Sequence, residues 1–337
     1  MEPRASQPVP IGIIGIGMVG SQLARWFGEI QGYRRGKNLF LFDTDRKKKC
    51  RDDVNRARII FVSVPTPRRA RDGVCDTRAL EAAVSCLTEA KIVVLKSTIP
   101  PGTTEQFQKK FPQHTFLFNP EFLTESRAWA DMLRPDRQIV GHTASHPVHA
   151  SAVLNLLPQA YFSSPGTIGA YTFIRVNATE AEMGKYAGNV FGAFKVTYAN
   201  ILADMCAQVE KSLQKKGIQT PVNYENIRML LSHDHRVGDA WLDVNHNLYR
   251  GFGGACFPKD VSALLQAARS LLKEMPRSSH ERKLFEKAVK VLEAVWNYNQ
   301  ALLESQGLTV EDVSVHDKEW VGKKLHAKNV KKLKTII

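Results

Sequence analysis

The stretch Ile11-Gly-Ile-Ile-Gly15-Ile-Gly17-Met18-Val19-Gly20 decides the fold. The apolar run Ile11–Ile16 reads as a strand, and Val19–Ile30, with apolar residues at helical spacing, reads as a helix. Between them the glycines fall in the pattern GxGxxG, which carries weight in this strand-to-helix context. Gly15 permits a tight turn, Gly17 lets the backbone approach a pyrophosphate, and Gly20 allows the helix to pack closely on the strand. The amides that open the helix, at Met18 and Val19, face the anion. Asp43 closes the next strand pattern, where a carboxylate accepts hydrogen bonds from both adenine-ribose hydroxyls and so selects NAD over NADP. The basic run Arg46–Lys49 just beyond could hold a 2′-phosphate, but Asp43 would repel one.

On either side of this turn the first half of the chain alternates apolar runs with amphipathic segments. Strands are expected at Ile11–Ile16, Asn38–Asp43, Ala57–Val64, Lys91–Lys96, Thr115–Phe118 and Gln138–Gly141, with further ones near Ala160 and at Tyr171–Val176. Helices are expected at Val19–Ile30 and Thr77–Thr88. The pattern is that of an α/β protein with a Rossmann-like, doubly wound parallel sheet. After Val176 strand signals almost vanish, and a proline-free helical pattern runs from about Ala178 to Lys215. Asn223–Leu231, Val261–Leu272 and His280–Leu303 continue as helices. The expected organisation is a dinucleotide-binding domain over 1–176, an α-helical domain with one long connecting helix over 177–305, and a basic C-terminal tail over 306–337.

With 337 residues, 43% hydrophobic and 24% charged, the chain can build two real cores, which excludes a disordered polymer. No run approaches the roughly 20 apolar residues of a membrane span, and the opening MEPRASQPVP is too polar and proline-rich for a secretory signal, so a cytoplasmic location is expected. The cysteines Cys50, Cys75, Cys86, Cys206 and Cys256 are odd in number and scattered, which suggests neither a disulfide framework nor a metal site. A net charge of +14 favours anionic partners, among them a dinucleotide or a nucleotide sugar. Much of it sits in clusters at Arg46–Lys49, Arg68–Arg71 and Lys318–Lys334, a distribution typical of solvated faces, so nucleic acid and membrane are disfavoured.

Two short patterns point to chemistry. Lys185 and Asn189 are four apart on the long helix, so both project from one face and can share one oxygen, stabilising an alkoxide or oxyanion. Cys256 lies in the glycine-rich turn Gly251-Phe-Gly-Gly-Ala-Cys256-Phe-Pro-Lys-Asp260, just before a helix, where helix-end amides and Lys259 favour a thiolate. Such a thiol adds to an aldehyde to give a thiohemiacetal, which can surrender a second hydride and become a thioester.

Five motifs, in this order, resemble the UDP-glucose/GDP-mannose dehydrogenase family from about Pro10 to about Leu303. They are Phe61-Val-Ser-Val-Pro-Thr66-Pro, Lys96-Ser-Thr98-Ile-Pro-Pro-Gly-Thr103, Asn119-Pro-Glu121-Phe122-Leu123-Thr-Glu125, Ala181-Glu-Met-Gly-Lys185-Tyr-Ala-Gly-Asn189 and the cysteine turn. The resemblance implies a two-step, NAD-dependent oxidation of a nucleotide sugar, UDP-glucose by default, in a homodimer formed through the long helix. It implies catalytic roles for Cys256, Lys185, Asn189, Asp260, Thr98 and Glu121, with Glu121 as the base for thioester hydrolysis. It further implies cofactor contacts from Thr66, Thr98, Glu125 and Lys259, and substrate contacts from Phe122, Leu123, Phe252, Gly253 and Gly254. Arg236, in His235-Arg-Val-Gly, resembles an arginine that reaches the substrate across a dimer interface.

Two departures stand against the family pattern. The third, nucleotide-binding domain that the resemblance implies has no strand-turn signature after Asn299-Gln300, so a short member is expected, with a partner chain as one source of the missing surface. The interval between Asp43 and Phe61 is also short, passing from second to third strand through Arg46–Asn55. Other readings compete. A β-hydroxyacid dehydrogenase of the 6-phosphogluconate type would need no cysteine, and the Cys256 turn argues against it. A non-catalytic NAD-binding module acting through the basic tail would leave the complete catalytic set unexplained.

Overall fold

A computed structural model describes residues 8–69, 71–144, 149–159, 172–173, 176–245 and 248–314. In chain order the elements are β1 (Ile11–Ile14), α1 (Met18–Arg25, continued by a π-helical turn Trp26–Ile30), β2 (Leu39–Phe42), β3 (Ile59–Val62), α2 (Arg78–Ser85), β4 (Ile92–Leu95), α3 (Thr103–Lys110), β5 (Thr115–Phe118), α4 (Ala128–Leu133), β6 (Gln138–Ile139), β7 (Gly141–His142), α5 (His149–Leu154) and β8 (Thr172–Phe173). They are followed by α6 (Ala178–Lys215), α7 (Tyr224–Ser232), α8 (Phe257–Glu274), α9 (His280–Ser305) and α10 (Val310–Val313). The chain divides into two compact units, Met1–Arg69 with Cys75–Lys185, and Ala70–Val74 with Tyr186–Ile337, so the division falls within α6.

The first unit is built on a sheet of order β2-β1-β3-β4-β5-β7. The first five strands pair in parallel, in continuous register. Both faces of such a sheet are covered, which is why its strands read as unbroken apolar runs. On β3, Ile60 and Val62 join one core with Ile14, Phe40, Leu95 and Phe116, while Ile59 and Phe61 join the other with Ile11, Ile13, Val94 and Leu117. The expected strand Gln138–Gly141 is corrected by the structure. It splits into β6, which pairs in parallel with β8 in a separate two-stranded sheet, and β7, which runs antiparallel to β5. An antiparallel neighbour starts at the end of the sheet where β5 stops, so no crossover is needed. Tyr171–Val176 contains β8, and Ala160 lies outside the described residues.

The short interval after Asp43 closes without a crossover helix. Two 3₁₀ turns, Arg46–Lys48 and Val54–Arg56, carry the chain from β2 to β3, and Val54 with Ala57 fills the core.

In the second unit α6 contributes its C-terminal part. The whole helix has 38 residues, about 57 Å at the usual rise. Val190, Ala193 and Val196 pack with Phe252, Val261 and Val295, and α8 and α9 pair through Leu265, Ala268 and Val289. α8 opens on Cys256 as its N-cap with Pro258 in the first turn, a position that tolerates proline's missing N–H. Past α9 the chain turns into α10 under a Thr309/Asp312 capping box. Leu308, Val310 and Val313 are buried with Tyr249 and Leu303, so 306–314, read as the start of a tail, is packed structure. The lysines from Lys318 onward lie outside the described residues.

Candidate active site

The glycine turn has the shape a dinucleotide needs. Gly15 sits at φ +90, and a Cβ there would strike the Ser63 carbonyl. A Cβ on Gly20 would collide with the Gly15 oxygen, whereas one on Gly17 would meet nothing within 4 Å. Close packing therefore explains Gly15 and Gly20, and the open space beside Gly17 is where backbone can approach a pyrophosphate at the start of α1. Asp43 is buried and already engaged. It accepts from the Ile16 amide at 2.7 Å, the Asp45 amide at 2.8 Å and Lys48 Nζ at 2.8 Å. Burial pushes its carboxyl up, but the Lys48 ammonium and the two amides outweigh this and hold it below the usual range. Lys48 of the basic run is thus tied to Asp43.

Carboxyl to β4 and β5 lies a cluster of charge. Lys185 on α6 donates to the Glu121 carbonyl at 2.6 Å and to Glu121 Oε1 at 3.1 Å. Glu121 Oε2 accepts from the Leu123 amide at 2.9 Å. Lys96, buried just past the end of β4, donates to Asn119 Oδ1 at 2.5 Å. Burial pushes the Lys96 ammonium down to about 8, with Glu121 opposing and Lys185 reinforcing the shift. The Phe122 ring lies 3.8 Å from the Arg137 guanidinium and 5.3 Å from Lys185 Nζ, contacts that favour a cation over an aromatic face. Lys96, Glu121, Phe122, Leu123 and Val19 line a cavity of about 380 Å³ with Arg127, Arg134 and Arg137. Asp131 and Asp136 lie on the same wall, so four cationic side chains face three carboxylates there.

Thr98 is half-buried on the loop after β4. The loop is held by Thr66 Oγ1, which donates to the Thr98 carbonyl at 2.7 Å, and by Ser97 Oγ, which donates to the Val64 carbonyl at 2.6 Å. It is anchored again by Glu182, buried on α6, which accepts from the Gly102 amide at 2.5 Å, the Thr104 amide at 2.8 Å and the Thr104 hydroxyl. Burial pushes the Glu182 carboxyl up to about 7 against the pull of these hydrogen bonds. Met18 and Val19 are half-buried at the start of α1. Glu125 opens the 3₁₀ turn Glu125–Arg127, and its side chain lies outside the described residues.

In the second unit Cys256 is exposed at the start of α8, where the dipole of an 18-residue helix favours an anion. One turn on, fully buried Asp260 accepts from the Asn189 amide and pairs with Lys259. Lys259 Nζ also lies 6.0 Å from the Tyr186 ring. Phe252 is buried; Gly254 has φ +74, and a Cβ on Gly253 would collide with the Tyr249 hydroxyl. Arg236 is exposed and paired with Asp234 at 2.6 Å. The structure thus gives Lys185 and Asn189 separate carboxylate partners, Glu121 and Asp260.

Sequence reasoning passed over Lys96 and Glu182, though both lie inside quoted motifs. The signal at Lys96 was a lysine directly ending an all-apolar strand, and at Glu182 a carboxylate three residues before Lys185 on the same helix.

Two domain models of one family match the chain: the UDP-glucose/GDP-mannose dehydrogenase family, NAD binding domain, over residues 34–156, and that family's central domain over 179–300. The chain belongs to this family. The match to its NAD binding domain falls in the first unit, and NAD is the cofactor. It is 30% identical over 302 residues to the UDP-glucose 6-dehydrogenase of Pseudomonas aeruginosa, covering 76% of this chain and 60% of that relative. To UDP-glucose 6-dehydrogenase TuaD of Bacillus subtilis it is 33% identical over 228 residues, covering 64% of this chain and 44% of the relative. The chain thus spans about half the length of the curated relatives it matches. A UDP-glucose dehydrogenase from Pyrobaculum islandicum shares the fold, with a TM-score of 0.64 at 24% identity over 91% of this chain and 73% of that one. No described helix is long and apolar enough to cross a membrane.

Proposed function

We propose that the chain is a cytoplasmic, NAD-dependent nucleotide-sugar dehydrogenase, with UDP-glucose as the default substrate, that oxidises the sugar's primary alcohol to the uronic acid. The observation that carries this reading is the exposed thiol of Cys256 at the start of α8, beside buried Asp260 with its Asn189 and Lys259 partners. When bound, NAD would supply the hydride acceptor, a fresh molecule for each of the two oxidations, with the Gly15–Gly20 turn and Asp43 to hold it. Lys185 and Asn189 stabilise the alkoxide as each hydroxyl gives its proton to a water held by Thr98 and Asp260 and its hydride to the cofactor, and later the oxyanion of the tetrahedral adduct. The Cys256 sulfur adds to the aldehyde carbon, and the resulting thiohemiacetal is again an alcohol, whose oxidation gives a thioester. Thr98 and Asp260 orient the substrate hydroxyl and a water, and Glu121 takes the proton of the water that cleaves the thioester, returning the thiol and releasing carboxylate.

Phe252, Gly253, Gly254, Phe122 and Leu123 shape the sugar site, and Glu125, Thr66 and Lys259 attend the cofactor. A homodimer through α6 is part of the reading. It is supported by the exposed apolar residues Phe191, Tyr198, Met205 and Val209 along that helix, with Arg236 reaching the partner's substrate. Sedimentation of the native protein as a monomer at assay concentration would remove the dimer.

The test is the yield of NADH per substrate consumed, with UDP-glucose, GDP-mannose, UDP-N-acetylmannosamine and 6-phosphogluconate, for the native protein and Cys256→Ser. Two NADH per nucleotide sugar, with no acid released by the serine variant, is the expected outcome. One NADH, or equal acid release by the variant, would sink the covalent route. NAD binding without turnover on any sugar would point to a partner chain that completes the nucleotide site.

A further inference from the structure

We infer that Asn299 and Gln306, two side-chain amides on one side of α9 and at its C-terminal end, are positioning residues that fix the loop presenting Cys256. Each grips one backbone residue of that loop at both its polar groups. Asn299 Oδ1 accepts from the Phe252 amide at 2.7 Å while its Nδ2 donates to the Phe252 carbonyl at 3.1 Å. Gln306 Oε1 accepts from the Arg250 amide at 2.8 Å while its Nε2 donates to the Arg250 carbonyl at 2.9 Å. The amides sit seven residues, about two helical turns, apart, and their targets, Arg250 and Phe252, flank Gly251 in a bend of the loop. Gly251 between the targets has φ +105, and a Cβ there would lie 2.7 Å from Asn299 Oδ1, so the grip itself requires glycine.

Two further contacts complete the hold. The Gly254 amide donates to the Val313 carbonyl of α10 at 2.7 Å, and the Arg250 guanidinium is fixed to α6 by Asn200 and Asp204. A loop with glycines at 251, 253 and 254 loses much conformational freedom on ordering. Asn200, Asp204, Asn299 and Val313 lie on helices and Gln306 caps α9, and two of these residues, Gln306 and Val313, follow α9 in a stretch the sequence marks only as tail. Cys256 comes two residues after Gly254, and its carbonyl accepts the Asp260 amide that opens α8. Fixing Arg250–Gly254 therefore sets how the thiol enters the helix terminus.

This inference rests on the reading of Cys256 as the nucleophile, but its test needs no turnover. Labelling of Cys256 with iodoacetamide is followed by peptide-resolved mass spectrometry from about pH 6 to pH 9.5 in the full chain, with Cys86, whose thiol is pushed up by burial, as internal reference. In Gln306→Met the midpoint of the Cys256 profile should rise toward that of Cys86, and labelling at pH 7 should slow about threefold or more. Gln306→Glu, which keeps only the acceptor for the Arg250 amide, should fall between the two, and it serves alone if the methionine variant does not fold. If the enzyme turns over, kcat should fall with KM for NAD unchanged. A folded variant whose Cys256 profile is native, or moves to lower pH, overturns the inference, whereas absence of turnover bears only on the dehydrogenase reading.

Discussion

The two buried ion clusters of this protein are balanced differently. In the first unit Lys96 and Lys185 share one carboxylate, Glu121, on the wall of a cavity that also carries Arg127, Arg134 and Arg137. In the second, Lys259 and the Asn189 amide converge on Asp260 beside the Cys256 turn. Burial drives the Lys96 ammonium down to about 8, with Glu121 opposing the shift and Lys185 adding to it. Two lysines on one carboxylate also leave positive charge for an anion to neutralise. A one-to-one pair makes no such demand, and its removal from either side leaves an uncompensated charge. The first cluster thus sets two cations on one carboxylate, whereas the second pairs its charges one to one.

That contrast can be broken by substitution. The largest effect is expected at Asp260→Ala, which strips Lys259 and Asn189 of their carboxylate and should cost about 3–5 kcal/mol in urea denaturation. A loss below about 1 kcal/mol would make the pair no more important than a surface one. Next is Lys185→Met. Lys96 still faces Glu121, so stability should change by less than about 1 kcal/mol, while kcat falls roughly 10²–10³-fold through loss of an oxyanion donor. A large stability loss with unchanged kcat would reverse the assignment of the two clusters.

The smallest effect is in pH dependence. The folded Lys96 pKa of about 8 lies below its ordinary 10.5. Between these values the unfolded chain binds more protons, so stability should rise with pH across that window and the lysine should cost stability below it. Lys96→Met should flatten the rise, by no more than roughly 3 kcal/mol across the window. Equal slopes in both proteins from pH 8 to pH 10.5 would show that Lys96 is not strained.

Much of the fold was legible because its signals are local. The strand-turn-helix at Ile11–Ile30 needs only an apolar run, glycines and helical spacing, and Ala178–Lys215 needs only the absence of proline over a long periodic stretch. The antiparallel β7 was not legible, because two residues carry no periodicity and their direction is set by where the chain re-enters the sheet. The candidate residues were recognisable as motif members, but their partners were not. Nothing in Asn119-Pro-Glu121 says that a lysine 64 residues on will bind both its carbonyl and its carboxylate. The clamp on Arg250 and Phe252 was invisible for the same reason, since a glutamine after a helix looks like any solvated cap.

The sequence by itself determined the dinucleotide turn, the long helix, the cysteine at a helix start and the family to which they belong, because each depends on residues close together along the chain. Only the tertiary structure decided that Lys48 binds Asp43, that Lys96 is a buried and strained cation, and that 306–314 straps the cysteine loop. These depend on which distant groups share a space from which water is excluded, and there the energy of a charge is set by its neighbours rather than by its own side chain.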